Sequence, residues 1–186
     1  PVNIQTYNPS NAFSMTLGTT SDTLTIPSGS YATSVSVSAQ IGPLPASFNP
    51  TFTSLPRSYT FRPHGLTFIG GNKVAKATIY YTDGEIIGAD ERNMKVYVWN
   101  GQSSSWDTTF ATSTNTSQNK TTVTLPHFSL YGVTAPKIET QFQTPTNSEV
   151  SGLTIPISYK LINLTTNLPA DPPAERLVED TTDPEN

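Results

Sequence analysis

The stretch DTLTIPSGSYATSVSVSAQIG, residues 22–42, decides the fold class. Leu24 and Ile26 stand two positions apart, a Pro-Ser-Gly turn follows, and apolar residues then recur at every second position from Val35 to Ile41. Serines occupy most of the positions between them. Because successive side chains of a strand point to opposite faces, this alternation predicts two half-buried β-strands joined by a turn.

The rest of the sequence extends the same pattern. Apolar residues make up 34% of the 186 residues and charged residues only 13%, while Pro and Gly together number 27 (16 and 11). Thr-rich alternating runs separated by Pro, Gly and Asn are typical of many short strands. Further strands are predicted at 58–63, 65–70, 74–83, 93–100 and 120–136. Together they predict an all-β protein, an antiparallel β-sandwich with extra C-terminal strands and an acidic Pro-rich tail.

Changes in composition divide the chain into four segments. We expect residues 1–21 to be an extended lead-in or an edge strand, and residues 22–136 to form the sandwich. Residues 137–168 hold two more alternating runs, which predict additional strands or a small second β unit. An alternative for this segment is donation of a strand to a neighbouring subunit. Residues 169–186 are acidic and Pro-rich, as in a tail or linker.

Charge and cysteine content exclude several function classes. The net charge is −4 with ten basic residues, so no basic stripe is available for nucleic acid. Without cysteine there is neither a disulfide framework nor a thiolate, and no cofactor is expected. No apolar run is long enough to span a bilayer, so we expect no membrane insertion. The polar, cysteine-free composition favours an extracellular location, and Asn115, Asn119 and Asn163 begin potential glycosylation triplets.

Four short motifs occur in a fixed order along residues 22–135. They are the Ile-Pro-x-Gly opening at Ile26–Gly29, the Pro-x-Gly corner at Pro63–Phe68, the tryptophan pair Trp99–Trp106 and the tripeptide His127–Ser129. In these motifs the chain resembles the ZU-five domain family, named for zonula occludens and uncoordinated-five proteins, in its prokaryotic surface-protein version. The resemblance implies a β-sandwich used for adhesion, scaffolding or contacts between domains rather than for catalysis.

The tripeptide His127-Phe128-Ser129 has two interpretations. In some members of the family this peptide cuts itself, which the resemblance implies for the bond between Phe128 and Ser129. Ser129 Oγ would attack the Phe128 carbonyl, with His127 as general base. The alternative is an ordinary strand, in which Phe128 and Leu130 fill the core while His127 and Ser129 share the opposite face.

One acidic run could hold a cation. The segment DGEIIGADER, residues 83–92, carries Asp83, Glu85, Asp90 and Glu91, and calcium is bound by loops of such oxygen ligands. The EF-hand spacing is absent, however. A solvated hairpin is the favoured interpretation, and the four carboxylates stay as calcium candidates.

Aromatic residues raise the question of sugar binding. Tyr97 and Trp99 share a face by alternation, where a tryptophan more often packs in a sandwich core, near Trp106. Tyr80 and Tyr81 point in opposite directions, so one of the two is expected to be exposed. They are the candidate glycan-binding residues.

A hydrolase is not indicated. The chain has no Gly-x-Ser-x-Gly motif, and only His64 and His127 are available as bases. His64 lies in the predicted corner turn, where an exposed role is expected. The leading hypothesis is therefore a non-enzymatic, extracellular structural or interaction module of a cell-surface or filament-forming protein, acting through a protein partner or self-association. The alternatives are a glycan-binding module and an autoproteolytic domain.

Overall fold

A computed structural model describes residues 2–18, 20–69, 73–110, 112–143 and 158–163. Within them the chain forms two antiparallel sheets that pack on a shared core, which confirms the predicted all-β sandwich. The strands are β1 Val2–Tyr7, β2 Phe13–Thr16, β3 Thr23–Ile26, β4 Val35–Gly42, β5 Phe52–Arg62, β6 Ala75–Tyr80, β7 Lys95–Asn100, β8 Ser105–Phe110, β9 Thr112–Asn115, β10 Lys120–Leu125, β11 Leu130–Pro136, β12 Ile138–Gln143 and β13 Ser158–Asn163. The short 3-10 helices are Asp83–Ile86, Glu91–Asn93 and Thr116–Gln118.

The two large sheets differ in size. The first has six strands in the order β1-β4-β5-β11-β7-β8, and the second has five in the order β2-β3-β6-β10-β9. Every pairing in both sheets is antiparallel. The edge strands β1 and β2 therefore lie at one side of the sandwich, where contacts join them, and β8 and β9 end the sheets at the other side.

Alternation along the strands places apolar side chains between the sheets. In β4, Val37 and Ala39 are buried while Ser36 and Gln40 are exposed. Leu24 in β3 is fully buried as well. The period of two read from the sequence is thus confirmed in the stretch from which the fold was predicted.

The first residues of the chain are part of the sandwich. They supply one edge strand of each large sheet, and Tyr7, Phe13 and Met15 are buried in the shared core. The Tyr7 hydroxyl donates to the Pro27 carbonyl oxygen at 3.1 Å and accepts from the Ser30 backbone N–H at 2.9 Å. A buried tyrosine hydroxyl with both partners fixes β1 to the turn that follows β3.

Two of the predicted strands are wrong. The run predicted as one strand at 120–136 is two strands in different sheets, β10 in the second and β11 in the first, and the chain crosses between the sheets at residues 126–129. Pro126 has no N–H to continue the ladder, which explains the break. The strand predicted at 65–70 is absent from its described part, 65–69, where only an isolated bridge joins Thr67 to His127.

The connection between β4 and β5, residues 43–51, is a proline-rich segment with Pro43, Pro45 and Pro50. β5 begins at Phe52 and continues through Pro56, although this strand lies inside the sheet between β4 and β11. The pairing with β11 shifts register between Gly132 and Thr134, opposite this part of β5. A proline is tolerated at such an irregularity because no ladder hydrogen bond is required from it.

The C-terminal strands pair with each other. β12 and β13 form a separate two-stranded antiparallel sheet within one chain, in the segment predicted to hold additional strands. Residues 144–157 and the acidic tail predicted at 169–186 lie outside the described residues. No helix in the described ranges is long and apolar enough to cross a lipid bilayer.

Candidate functional site

Backbone hydrogen bonds hold the crossover peptide at residues 127–129 in place. The Phe128 N–H donates to the Leu66 carbonyl at 3.0 Å, and the Phe128 carbonyl accepts from the Gly65 N–H at 2.9 Å. The Ser129 carbonyl accepts from the Phe61 N–H at 2.8 Å. Gly65 adopts φ +75°, a left-handed conformation that glycine tolerates at little cost. The bond considered for self-cleavage therefore lies between two anchored carbonyl groups.

The Phe128 side chain is a core residue. It is fully buried, and its ring packs 5.7 Å from Phe61 and 5.2 Å from Phe68, measured between centroids. Leu130, which we expected beside it in the core, is only half-buried. The core residue that follows Phe128 is instead Tyr131, because the strand β11 begins after the crossover and sets its own alternation.

His127 is not directed at Ser129. The imidazole Nδ1 lies 3.5 Å from the Phe128 carbonyl oxygen and 3.4 Å from the Tyr131 hydroxyl, and that hydroxyl donates to the His127 carbonyl at 2.5 Å. Across the described ranges, no hydrogen bond joins the imidazole to the Ser129 hydroxyl. The three residues are adjacent in the chain, but this arrangement does not place the histidine to deprotonate the serine.

The four calcium candidates do not converge. Glu85 accepts from the Thr82 N–H at 2.9 Å, as in a capped 3-10 turn, and the other carboxylates have different neighbours. These are Asn119 for Asp83 at 2.8 Å, Asn93 for Asp90 at 2.7 Å and the Tyr81 hydroxyl for Glu91 at 3.4 Å. Among the residues that the structure describes, no three His, Asp or Glu side chains are grouped as metal ligands. The acidic run forms two short 3-10 turns, and its carboxylates contact donors in different parts of the described structure.

The adjacent tyrosines have opposite environments. Tyr80, the last residue of β6, is 37% exposed, whereas Tyr81 is 4% exposed. Burial raises the pKa of Tyr81, and the carboxylate of Glu91 raises it further. Of the two glycan-binding candidates, Tyr81 therefore presents little ring surface for stacking on a sugar. Tyr80 remains exposed, as expected for one member of the pair.

Tyr80 borders a polar cleft at the end of the sandwich. The cleft has a volume of about 470 Å³. Its lining residues are Thr20, Ser21, Asp22, Arg57, Tyr80, Tyr81, Thr82 and Glu85. Arg57 crosses it: one terminal nitrogen forms an ion pair with Glu85 and the other donates to the Tyr80 carbonyl at 2.5 Å. The Arg57 guanidinium therefore connects the walls of the cleft through charged contacts.

A buried hydrogen-bond network lies beneath this cleft. Asp22 is fully buried, and its two carboxylate oxygens accept from the Tyr59 hydroxyl at 2.8 Å and from the Tyr80 N–H at 2.7 Å. Arg57 Nε donates to the Tyr59 hydroxyl at 2.8 Å. Burial raises the pKa of Tyr59, and the nearby Asp22 charge raises it further. Because Asp22 precedes β3 and Tyr59 lies in β5, the network joins the two sheets.

The tryptophans cover the outside of the six-stranded sheet. Val96 is buried in the core, so Tyr97 and Trp99 lie on the opposite face, and Trp99 is paired with Trp106 of β8. Both tryptophans are half-buried. The expectation that they pack in the sandwich core is therefore wrong. The proline-rich segment folds over this face and places Phe48 against Trp106 at 4.4 Å between ring centroids.

The remaining sequence candidates lie at the surface. His64 is exposed in the turn after β5, where partial burial and the Arg62 charge lower its pKa below the ordinary value. Asn115 is exposed at the end of β9, and Asn119 is half-buried in the next turn. Among the described residues, neither imidazole forms a hydrogen bond with a carboxylate or a serine hydroxyl.

Two side-chain contacts were not predicted from the sequence. The Asp22–Tyr59 contact joins residues 37 positions apart, with no motif to indicate it. One feature of the sequence could have indicated the contact of Phe48 with Trp106: two phenylalanines lie in or next to a proline-rich connection. Aromatic rings in such a segment need a surface on which to pack. No protein-family model matches the chain, and a search of curated proteins finds no match either.

Proposed function

We propose that the chain is a non-enzymatic, extracellular structural module of a cell-surface or filament-forming protein, and that it acts through protein–protein contacts made by β1. The observation that carries the proposal is the open edge of the six-stranded sheet. β1 pairs with β4 on one side, and on this outermost strand Val2 is 53% and Ile4 66% exposed. Side chains two positions apart lie on the same face, so they form one apolar patch.

The edge lacks the usual protection against pairing. Natural sheets guard long open edges with lysine, proline or bulges. The sequence of β1, VNIQTY, contains no charged residue and no proline, and its six residues pair with β4 without a register shift. A regular strand of this kind can accept another strand through its free backbone groups.

The partner that fits best is β1 of a second copy. Two antiparallel β1 strands would join two six-stranded sheets about a twofold axis, which is the commonest symmetry of soluble assemblies. Because β1 carries no charge, two copies bring no like charges opposite each other. The same contact leaves β8 at the far edge of each sheet.

The proposed type of module and its proposed location are supported by features of the sequence. We propose a ZU-five type of module because four motifs occur in the order of that family. The proposal of an extracellular location rests on the Thr- and Ser-rich strand faces and on the low content of charged residues, 13%. Adhesion or scaffolding through protein contacts is the use that this resemblance implies.

Sedimentation velocity across a micromolar to millimolar series tests the contact. We expect a concentration-dependent dimer, and we expect Ile4→Lys to weaken it more than tenfold by placing a charge at the edge. Ile87→Lys is the matched control, because Ile87 is 69% exposed in a turn outside every strand. That variant should dimerise like the unaltered chain.

Two results would contradict the proposal. A chain that stays monomeric throughout the series has no self-association to explain. Equal weakening by Ile87→Lys and Ile4→Lys would place the contact elsewhere or make it a general effect of charge. Circular dichroism of each variant distinguishes lost association from lost folding.

Autoproteolysis is a second candidate, favoured by one contact. The Gly65 N–H donates to the Phe128 carbonyl oxygen at 2.9 Å, where a negative charge would develop during attack. Ser129 Oγ would add to that carbonyl carbon, and its proton would pass to the Ser129 nitrogen as the C–N bond breaks, which leaves an ester and a free amine. Water would then hydrolyse the ester to the Phe128 carboxylate and the Ser129 hydroxyl. Mass spectrometry of the denatured chain tests this: two fragments that are absent in Ser129→Ala are expected, and one intact mass excludes cleavage.

A further inference from the structure

An aromatic pocket opens on the outer face of the six-stranded sheet. Its volume is about 260 Å³. The lining residues are Ala46, Ser47, Phe48, Asn49, Phe52, Tyr97, Ser104, Ser105 and Trp106. The proline-rich segment supplies one wall and the hairpin of β7 and β8 supplies the other. Tyr97 lies between Phe48 and Phe52, at 5.4 and 5.9 Å between ring centroids, in edge-to-face contacts.

The pocket is held in shape without a ligand. Trp106 Nε1 donates to the Ala46 carbonyl at 3.0 Å, and the Trp106 ring stacks on Phe48 with an angle of 14° between planes. Both rings lie against Gly132, where a Cβ would come within 2.7 Å of Phe48 Cζ. A pre-formed pocket avoids the entropic cost of ordering its walls on binding.

The lining chemistry selects a neutral ligand with polar groups at its rim. None of the lining residues is charged. Asn49 accepts from Thr51 through Oδ1, and over the described ranges its Nδ2 has no protein partner. The Ser104 hydroxyl is likewise without one there, and Ser104 adopts φ +50°, a conformation unusual for a residue with a side chain. Donors and acceptors therefore stand beside aromatic walls.

We propose that this pocket binds a single neutral sugar ring. The face of a pyranose is covered by C–H groups, which carry partial positive charge and pack well on the negative face of an aromatic ring. Its hydroxyls would bond to Asn49 and Ser104. The volume lies below the roughly 300–1,000 Å³ of pockets for drug-sized ligands, so one ring fits rather than an oligosaccharide.

This site is distinct from the cleft at Tyr80. That cleft is larger, and it contains the Arg57–Glu85 ion pair, whereas the aromatic pocket is uncharged. The two tyrosines thus provide matched variants. Tyr97→Ala removes a pocket wall, and Tyr80→Ala removes an exposed ring outside the pocket.

Saturation-transfer NMR with the full chain tests the proposal, using the methyl glycosides of glucose, galactose, mannose and N-acetylglucosamine as probes. We expect at least one glycoside to bind, with affinity lowered at least tenfold by Tyr97→Ala and unchanged by Tyr80→Ala. If Tyr97→Ala fails to fold, the double variant Asn49→Ala, Ser104→Gly keeps the aromatic walls and should lower affinity at least threefold.

Three results would overturn it. Absence of binding by all four glycosides removes the sugar site. Loss of binding in Tyr80→Ala with binding retained in Tyr97→Ala moves the site to the polar cleft. Binding of a polyproline peptide that Tyr97→Ala abolishes, with no glycoside binding, would make the pocket a peptide groove instead.

Discussion

Gly132 shows how a single residue fixes the outer face of the six-stranded sheet. A Cβ there would come within 2.7 Å of Phe48 Cζ and 2.8 Å of Trp106 Cη2. Alanine favours a strand over glycine by roughly 0.5–1 kcal/mol, but overpacking costs about 1–3 kcal/mol. Because both rings are held by other contacts, we expect Gly132→Ala to lower the free energy of unfolding by ~1 kcal/mol or more in urea denaturation.

Gly42 provides the control for that substitution. It also lies in a strand of the same sheet, but its nearest neighbour to an added Cβ is Ser58 Oγ at 3.9 Å, an ordinary contact. Gly42→Ala should therefore leave stability unchanged or slightly raised. If the two variants had the same free energy of unfolding, the Phe48 and Trp106 rings would be making room for the added methyl group without an energetic cost.

Buried tyrosines make stability depend on alkaline pH. Burial raises the pKa of Tyr59, Tyr81 and Tyr131 in the folded protein, while an unfolded tyrosine ionises near 10. Above that value the unfolded chain binds fewer protons than the folded one, so the free energy of unfolding falls as pH rises. Urea denaturation at about pH 8 and about pH 11 should show this loss, and Tyr131→Phe should reduce it. Tyrosinate absorbance from every tyrosine of the folded protein near pH 10 would contradict it.

At the scale of elements, the link between β3 and β5 depends on one carboxylate. Asp22→Asn keeps an acceptor oxygen but removes the charge that receives bonds from Tyr59 and Tyr80. Hydrogen bonds to charged groups contribute about 1.5–3 kcal/mol, so we expect a loss within that range in thermal or urea unfolding. Asp83→Asn alters an exposed carboxylate and should stay within roughly 0.5 kcal/mol. A similar effect in both would contradict a special role for Asp22.

The strands could be predicted wherever their pattern is local. The alternation of Leu24 and Ile26, or of Val37 and Ala39, is enough to place β3 and β4, because a period of two is a property of the strand itself. The break at Pro126 was missed although the alternation changes phase there: Val123 and Leu125 are buried, and the next buried apolar residue, Phe128, lies three positions after Leu125. A phase change shows that a strand is interrupted, but it does not show that the chain crosses to the other sheet.

The sites depend on the topology of the whole molecule. Asp22 meets Tyr59 because β3 and β5 face each other from different sheets, and Phe48 meets Trp106 because the connection after β4 folds back over β7 and β8. The spacing of these residues along the sequence predicts neither of the two contacts. Tyr97 and Trp99 lie on one face of β7, as their alternation predicts. The burial of Val96 shows that the opposite face packs in the core.

At the scale of the whole molecule, the structure places the beginning of the sandwich before residue 22. Deleting residues 2–17 would remove one edge strand from each large sheet and the buried side chains of Tyr7, Phe13, Met15 and Leu17. Each buried apolar side chain contributes about 1.5–3 kcal/mol, and a domain has only about 5–15 kcal/mol in total. We therefore expect the shortened chain to lose its near-ultraviolet circular dichroism and its cooperative thermal transition.

The control for that deletion keeps β1 and changes only its exposed side chains. The double variant Val2→Thr, Ile4→Thr retains strand-forming residues, and stability should change by less than about 0.5 kcal/mol. A shortened chain that still unfolds cooperatively would show that the sandwich is complete from residue 22, the limit implied by the family resemblance. If instead it unfolds while the double variant is stable, β1 and β2 are required for folding, and the apolar side chains of β1 are left free for the contact proposed with a second copy.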